Sequence, residues 1–290
     1  MVYLSFLSLL FNQNEFLSMM KSKFFSLFNS ILSFIACCSL LATSKFTLAQ
    51  DIAANTAAVA PLNSAKSVKI ITPDEHLLGA DYYAGETKGA GVLILHDCAH
   101  TSANYTDLAE KLSNNGIHAL ALDFRGYGAS SSEVFSHENI KKNAKSIVAY
   151  QNDVAALTSY WELDVLTAFN YLRTKVDRKK GIAVVSVGCA SLYAVALAEK
   201  MRINSLVLIT PKMNYGAKER YKNLIDLPSY FINSSHHIET IQTSKELFEW
   251  NGSKSSKIQI FKSDAFDYGL LRRNKYLTDD ISSWLKKNLR

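Results

Sequence analysis

The chain reads as an α/β protein: a doubly wound, mainly parallel sheet with an N-terminal antiparallel hairpin and no large cap domain. Three observations predict this. Strand-like runs alternate with helix-length segments from about residue 91 to the end, an order that places parallel strands under helices. Those runs are continuously apolar rather than alternating, as expected for strands covered on both faces. The first two runs are separated only by the turn Pro73-Asp74 within "SVKIITPDEHLLGADYYAG", which predicts a hairpin. No insertion is long enough for a cap, and any lid falls in Pro211 to Leu227.

Each element follows in order. Gly91 to Leu95 is a buried-type strand, and Asn104 to Asn114 a helix with Leu108 and Leu112 on one face and Gly116 as its stop. Ile117 to Leu122 is a strand and Leu163 to Thr174 a helix. Ile182 to Val187 is a strand leading into an Ala-rich helix from Ala190 to Met201. Leu206–Ile209 and Ser229–Ile232 are strands, Ser244–Trp250 a helix, Ile258–Phe261 a strand, and Tyr276–Leu289 the closing helix.

Residues 1–49 read as a secretory signal. Lys21 and Lys23 precede the apolar stretch Phe24 to Ala42, and Thr47-Leu48-Ala49 supplies a small-x-Ala cleavage site. Met1 to Met19 is consistent with an upstream start, which leaves Met1 and Met20 as alternative first residues. Cleavage near Ala49 implies a periplasmic or secreted protein, with membrane attachment only through an uncleaved signal. Residues 50–66 are small, polar and aperiodic, a flexible linker, and 67–290 form one domain. Loss of 1–49 removes three Lys and one Glu, lowering the net charge from +6 to +4. The cations are scattered without an aromatic-interleaved stripe, which argues against nucleic acid. Two cysteines remain, Cys98 and Cys189, in a disulfide-permissive setting. No cofactor motif is present, and adjacent His236 and His237 lack a third metal ligand.

"GVLILHDCAHTSANYTDLAEKLSNNGIHALALDFRGYGAS", from Gly91 to Ser130, resembles the first half of an α/β-hydrolase. The most specific part is Asp-x-Arg-Gly-x-Gly at Asp123 to Gly128. With "VVSVGCASLYAVALA" at Val184 to Ala198 and the closing helix, the resemblance spans roughly 68–289. It implies a serine-esterase-like ancestry, whose nucleophile sits in Gly-x-Ser-x-Gly at a strand-to-helix turn. Laid on this sequence, that pattern puts Gly188 at the nucleophile position. The acid position falls on His236 or His237, and the general-base position on Phe266. A ring without nitrogen can neither accept the nucleophile's proton nor pair with an acid. The resemblance therefore implies that all three triad positions are lost.

Other groups around this frame carry weaker readings. His96 ends a strand and reads as structural, and His100 lies in the next loop, within reach of the pocket. Asp97 stands where the family usually has Gly, placing negative charge where an oxyanion forms. Ser186 and Ser191 fall in a strand and a helix and read as packing residues. Asp264 and Asp267 flank Phe266 and read as loop carboxylates. The family's oxyanion hole uses N–H groups that map here onto Cys98 and Cys189, so the resemblance implies that the two cysteines are close. A Cys98–Cys189 bridge and two separate buried thiols both fit that placement.

Two functions follow. One is a pseudoenzyme, an exported α/β-hydrolase-fold protein acting through a small-molecule or protein ligand at the vestigial pocket. The other is an active esterase-like hydrolase with Cys189 as nucleophile, paired with His100 or His237. A hydrogen bond between a Ser or Cys and a His ring nitrogen separates them.

Overall fold

The computed structural model describes residues 65–289; the segment 1–49 expected to be a signal, and all but the last two residues of the expected linker, lie outside them. Eight strands form one sheet: β1 Lys66–Ile71, β2 Leu77–Tyr83, β3 Gly91–Leu95, β4 His118–Leu122, β5 Ile182–Val187, β6 Ser205–Ile209, β7 Ser229–Ser234 and β8 Lys257–Phe261. Their order is β1-β2-β4-β3-β5-β6-β7-β8. β1 pairs antiparallel with β2, and β2 antiparallel with β4. Every other pairing is parallel. This is the α/β-hydrolase arrangement expected from the alternation of elements.

The helices are α1 Thr106–Asn114, α2 His137–Asn143, α3 Ile147–Thr158, α4 Trp161–Arg173, α5 Ser191–Lys200, α6 Tyr215–Lys222, α7 Ile238–Trp250, α8 Tyr268–Arg273 and α9 Leu277–Asn288. Side chains alternate across each strand, so one sheet feeds two cores. Leu93, Leu120, Val184 and Leu208 pack with residues of α4, α5 and α7. Val92, Ala119, Val185 and Val207 pack with Leu108 and Leu112 of α1 and Ile281 and Leu285 of α9. Central strands β3 to β7 are buried along their whole length, which explains their largely apolar sequence.

Two differences from the sequence reading concern the segments outside the sheet. Pro211–Leu227 is not a lid. It contains α6, whose Ala217 and Tyr221 are buried, and the Tyr221 hydroxyl donates to Ser229 Oγ at 2.8 Å. The helical excursion instead lies between β4 and α4, where α2 and α3 together bury only Leu157. α7 also starts six residues earlier than its apolar signal, at Ile238 rather than Ser244.

Candidate active site

The segment Asp123–Gly128 is scaffold. Asp123 accepts hydrogen bonds from the Ser102 N–H (2.7 Å) and the Ala129 N–H (2.8 Å), tying the loops after β3 and β4 together. Arg125 is fully buried and donates to both oxygens of Asp74 (2.6 and 2.9 Å) and to Asp164 (2.8 Å). Its guanidinium lies between the rings of Tyr160 and Phe135. The Arg125 hydrogen bonds hold the Asp74 carboxyl well below its usual range, whereas burial raises Asp164 to about 6. His96 is also structural. Its Nε2 accepts from the Phe124 N–H at 3.0 Å and its Nδ1 donates to the Asp97 carbonyl at 2.6 Å. Burial pushes its pKa down, consistent with a neutral ring bridging β3 and β4.

β5 is followed by Gly188, which has φ +56°, and the chain turns through Gly188–Ala190 into α5. A side chain in this left-handed region carries strain that glycine avoids. The space that a Cβ would need is already occupied: a Cβ at position 188 would come within 2.7 Å of Asp267 Oδ1. Asp267 follows β8 and is itself at φ +52°. Its carboxylate accepts from Thr210 Oγ1 (2.6 Å) and Lys212 Nζ (2.7 Å), and its N–H donates back to Thr210 Oγ1 (3.0 Å). Thr210, at the end of β6, also has positive φ, +44°. Two non-glycine residues in uncommon backbone states therefore meet at the turn, each costing of order 1–3 kcal/mol.

This arrangement corrects three readings of the sequence. The residue after β8 that faces Gly188 is Asp267, not Phe266. The Phe266 ring is about half exposed, packed on His237 and beneath Lys212. Asp267 is therefore a buried carboxylate rather than a solvated loop residue, while Asp264 is exposed and pairs with Arg273. The groups that contact the carboxylate, Thr210 and Lys212, follow β6. His236 and His237 follow β7 and stay outside this cluster: His236 is exposed, and His237 Nε2 donates to the Asp264 carbonyl at 3.0 Å.

On the other side of the turn, Cys98 and Cys189 are joined through their sulfurs, with Cα atoms 6.0 Å apart. Cys98 is exposed and Cys189 half-buried, so neither matches a buried free thiol. Asp97 points into the protein as a hydrogen-bond hub. It accepts from the Ala99 N–H (2.8 Å), His100 Nδ1 (2.7 Å), the Tyr105 hydroxyl (2.8 Å) and the Tyr268 N–H (3.2 Å). Burial alone raises its pKa, but these donors outweigh burial and hold it below its ordinary value. Burial, followed by the Asp97 charge, raises the Tyr105 hydroxyl. The negative charge expected at the oxyanion position is thus compensated by the protein's own donors. Beside this hub, a cavity of about 340 Å³ opens between Tyr105 and Tyr268, bordered by Asn104, Asp107, Arg272 and Lys275.

Among the described residues, no Ser or Cys side chain hydrogen-bonds a His ring nitrogen. His100 is committed to Asp97 and His237 to a carbonyl. Ser186 Oγ points at the Val207 carbonyl, and Ser191 Oγ is buried without a partner. No cluster of three or more His, Cys, Asp or Glu suited to a metal occurs among them either.

Comparison with known proteins places the fold among α/β-hydrolases. The family described as serine aminopeptidase, S33, matches residues 86–266. The fold is similar to that of the esterase Pf2001 of Pyrococcus furiosus, with 17% identity over 79% of this chain and 95% of that one, and a TM-score of 0.58. It is also similar to a dienelactone hydrolase from Anabaena variabilis (14% identity, 79% and 99% covered, TM-score 0.57). An esterase from Exiguobacterium antarcticum is a third (10% identity, 76% and 100% covered, TM-score 0.54). No curated protein matches the chain.

Proposed function

We propose, from the premise that the chain belongs to the serine aminopeptidase S33 family of hydrolases, that it is an exported, non-hydrolysing member that binds a ligand beside its altered turn. One observation carries the reading. Position 188 has no nucleophile, and its side-chain space holds the Asp267 carboxylate. That carboxylate is bonded to Thr210 and Lys212, so it has no imidazole to orient and no serine to activate.

Two further features support it. The Cys98–Cys189 link joins the two segments from which family members draw their oxyanion donors, and it leaves Cys189 no free thiolate. The signal-like segment 1–49 would deliver the chain to a compartment where such a bridge persists. The ligand, a small molecule or a segment of another protein, would sit in the cavity beside Tyr105 and Tyr268.

The test is hydrolysis of short p-nitrophenyl esters and aminoacyl p-nitroanilides by the purified protein, with and without reductant. Rates at background in both conditions are expected. Robust turnover abolished by Cys189→Ala would overturn the proposal. N-terminal sequencing of exported protein, expected to begin at Gln50, checks the compartment.

A further inference from the structure

Six residues of strand separate the altered turn from the opposite end of β5, about 20 Å away at ~3.3 Å per residue. There a second cavity, of about 420 Å³, opens at the amino ends of β5 and β6. Its rim carries Arg173, Arg178, Lys179, Lys180 and Arg202, together with the Asn204 amide. All five cations are exposed. None takes part in an ion pair among the described residues, although most of the salt bridges there use other lysines and arginines.

The rim is held in place. Arg173, the last residue of α4, donates to the carbonyls of Lys180 (3.0 Å) and Arg178 (3.2 Å). The Lys180 N–H closes a turn onto the Asp177 carbonyl at 2.9 Å. The Asp177 carboxylate in this turn accepts the Lys179 N–H at 2.8 Å and stabilises the turn rather than pairing with a cation. Asn204 makes no side-chain hydrogen bond among the described residues, and it lies against Gly181, where any Cβ would overlap it. Phe169 and Met201 give the cavity an apolar base.

We infer that this cavity binds a phosphate-bearing anion. Five unpaired cations around one concave site repel each other, and bound negative charge relieves that cost. A singly charged carboxylate would leave most of the excess in place, whereas a phosphate or diphosphate group, with about two or three charges, offsets a much larger share of it. Arginine forks at Arg178 and Arg202 suit tetrahedral oxyanions by paired N–H donation, and Asn204 adds a neutral donor. The site is independent of the proposed loss of hydrolysis, since it shares no residue with the turn at Gly188.

Titration calorimetry of the full chain with inorganic pyrophosphate tests this, with acetate as the control anion and the triple variant Arg178→Gln/Lys180→Gln/Arg202→Gln as the comparison. All three positions are exposed, so the variant should fold, as circular dichroism would verify. Pyrophosphate binding weakened at least tenfold in the variant, with acetate not binding, supports the site. A second arm measures co-sedimentation with phosphatidylcholine vesicles, with and without phosphatidylglycerol. Retention that needs phosphatidylglycerol and falls in the variant assigns the phosphate to a lipid headgroup; pyrophosphate binding without it assigns a soluble ligand. No binding of either probe, binding undiminished in the variant, or acetate binding as well as pyrophosphate would overturn the inference.

Discussion

Gly181 and Gly188 bracket β5, and both lack a side chain because another residue occupies the space, yet the two ends differ. At Gly188 the occupant is Asp267, clamped by Thr210 and Lys212 and buried. At Gly181 it is the Asn204 amide, half-exposed and without a hydrogen-bonding partner among the described residues. Backbone conformation differs too: Gly188 has φ +56°, while Gly181 is not among the positive-φ glycines. At the elbow end the chain supplies its own anion to its own cation. At the basic end it presents cations that no carboxylate pairs with among the described residues. The same residue type thus marks a filled site at one end of the strand and an open one at the other.

The largest effect should come from opening the elbow end. Cys98 and Cys189 are 91 residues apart, and closing a loop of that length is worth about 4–5 kcal/mol on the chain-entropy model. Urea unfolding with and without a strong reductant should show a loss approaching that size. A loss well below about 1 kcal/mol would mean that the Asp267 cluster, not the bridge, holds this end together.

The glycines come next. Gly188→Ser should cost about 1–3 kcal/mol for its backbone conformation and about 1–3 kcal/mol more for crowding the clamped carboxylate. Adding Asp267→Ala should recover part of the crowding cost, since residues in contact couple by about 0.5–3 kcal/mol. Gly181→Ala should cost only about 1 kcal/mol, the low end for overpacking, because Asn204 can swing into its cavity. Equal losses at the two positions would erase the distinction between the ends.

Acid gives the smallest effect and touches both ends, through His96 after β3 and His118 at the start of β4. Burial lowers the pKa of these two, and of His76 and His137, from an ordinary 6.5. The unfolded chain therefore takes up protons near pH 6.5 that the folded chain resists. Stability is full above that pH and is lost as pH falls through it. Asp164, raised to about 6, acts in the opposite sense as one group against four. The melting temperature should fall between pH 7 and pH 5; a flat or rising profile would show these histidines to be solvated.

The strands were legible because burial on both faces leaves an unbroken apolar run, and Gly91–Leu95 and Ile182–Val187 were read to the residue. α2 and α3 were not, because elements that bury a single leucine leave no periodicity to find. The elbow was visible in its run of small residues. What stands opposite Gly188 was misread by one position, since a loop has no period and the left-handed turn at Asp267 carries its side chain inward. Aspartate tolerates positive φ more readily than most residues, but nothing local selects Asp267 over Asp264 for it. The contributions of Thr210 and Lys212 depend on the parallel pairing of β6 beside β5, a long-range fact that no local pattern encodes.

The interlock of positions 188 and 267 also fixes an order of change. A serine introduced at 188 meets the Asp267 carboxylate before it can meet any substrate. A histidine introduced at 267 must first give up the bonds to Thr210 and Lys212, and it finds a glycine with nothing to activate. Neither single replacement creates a Ser–His pair, and the first of them carries an immediate folding cost. A side chain at position 188 is therefore accommodated without that crowding only where position 267 has changed first. The geometry acts as a ratchet on the sequence.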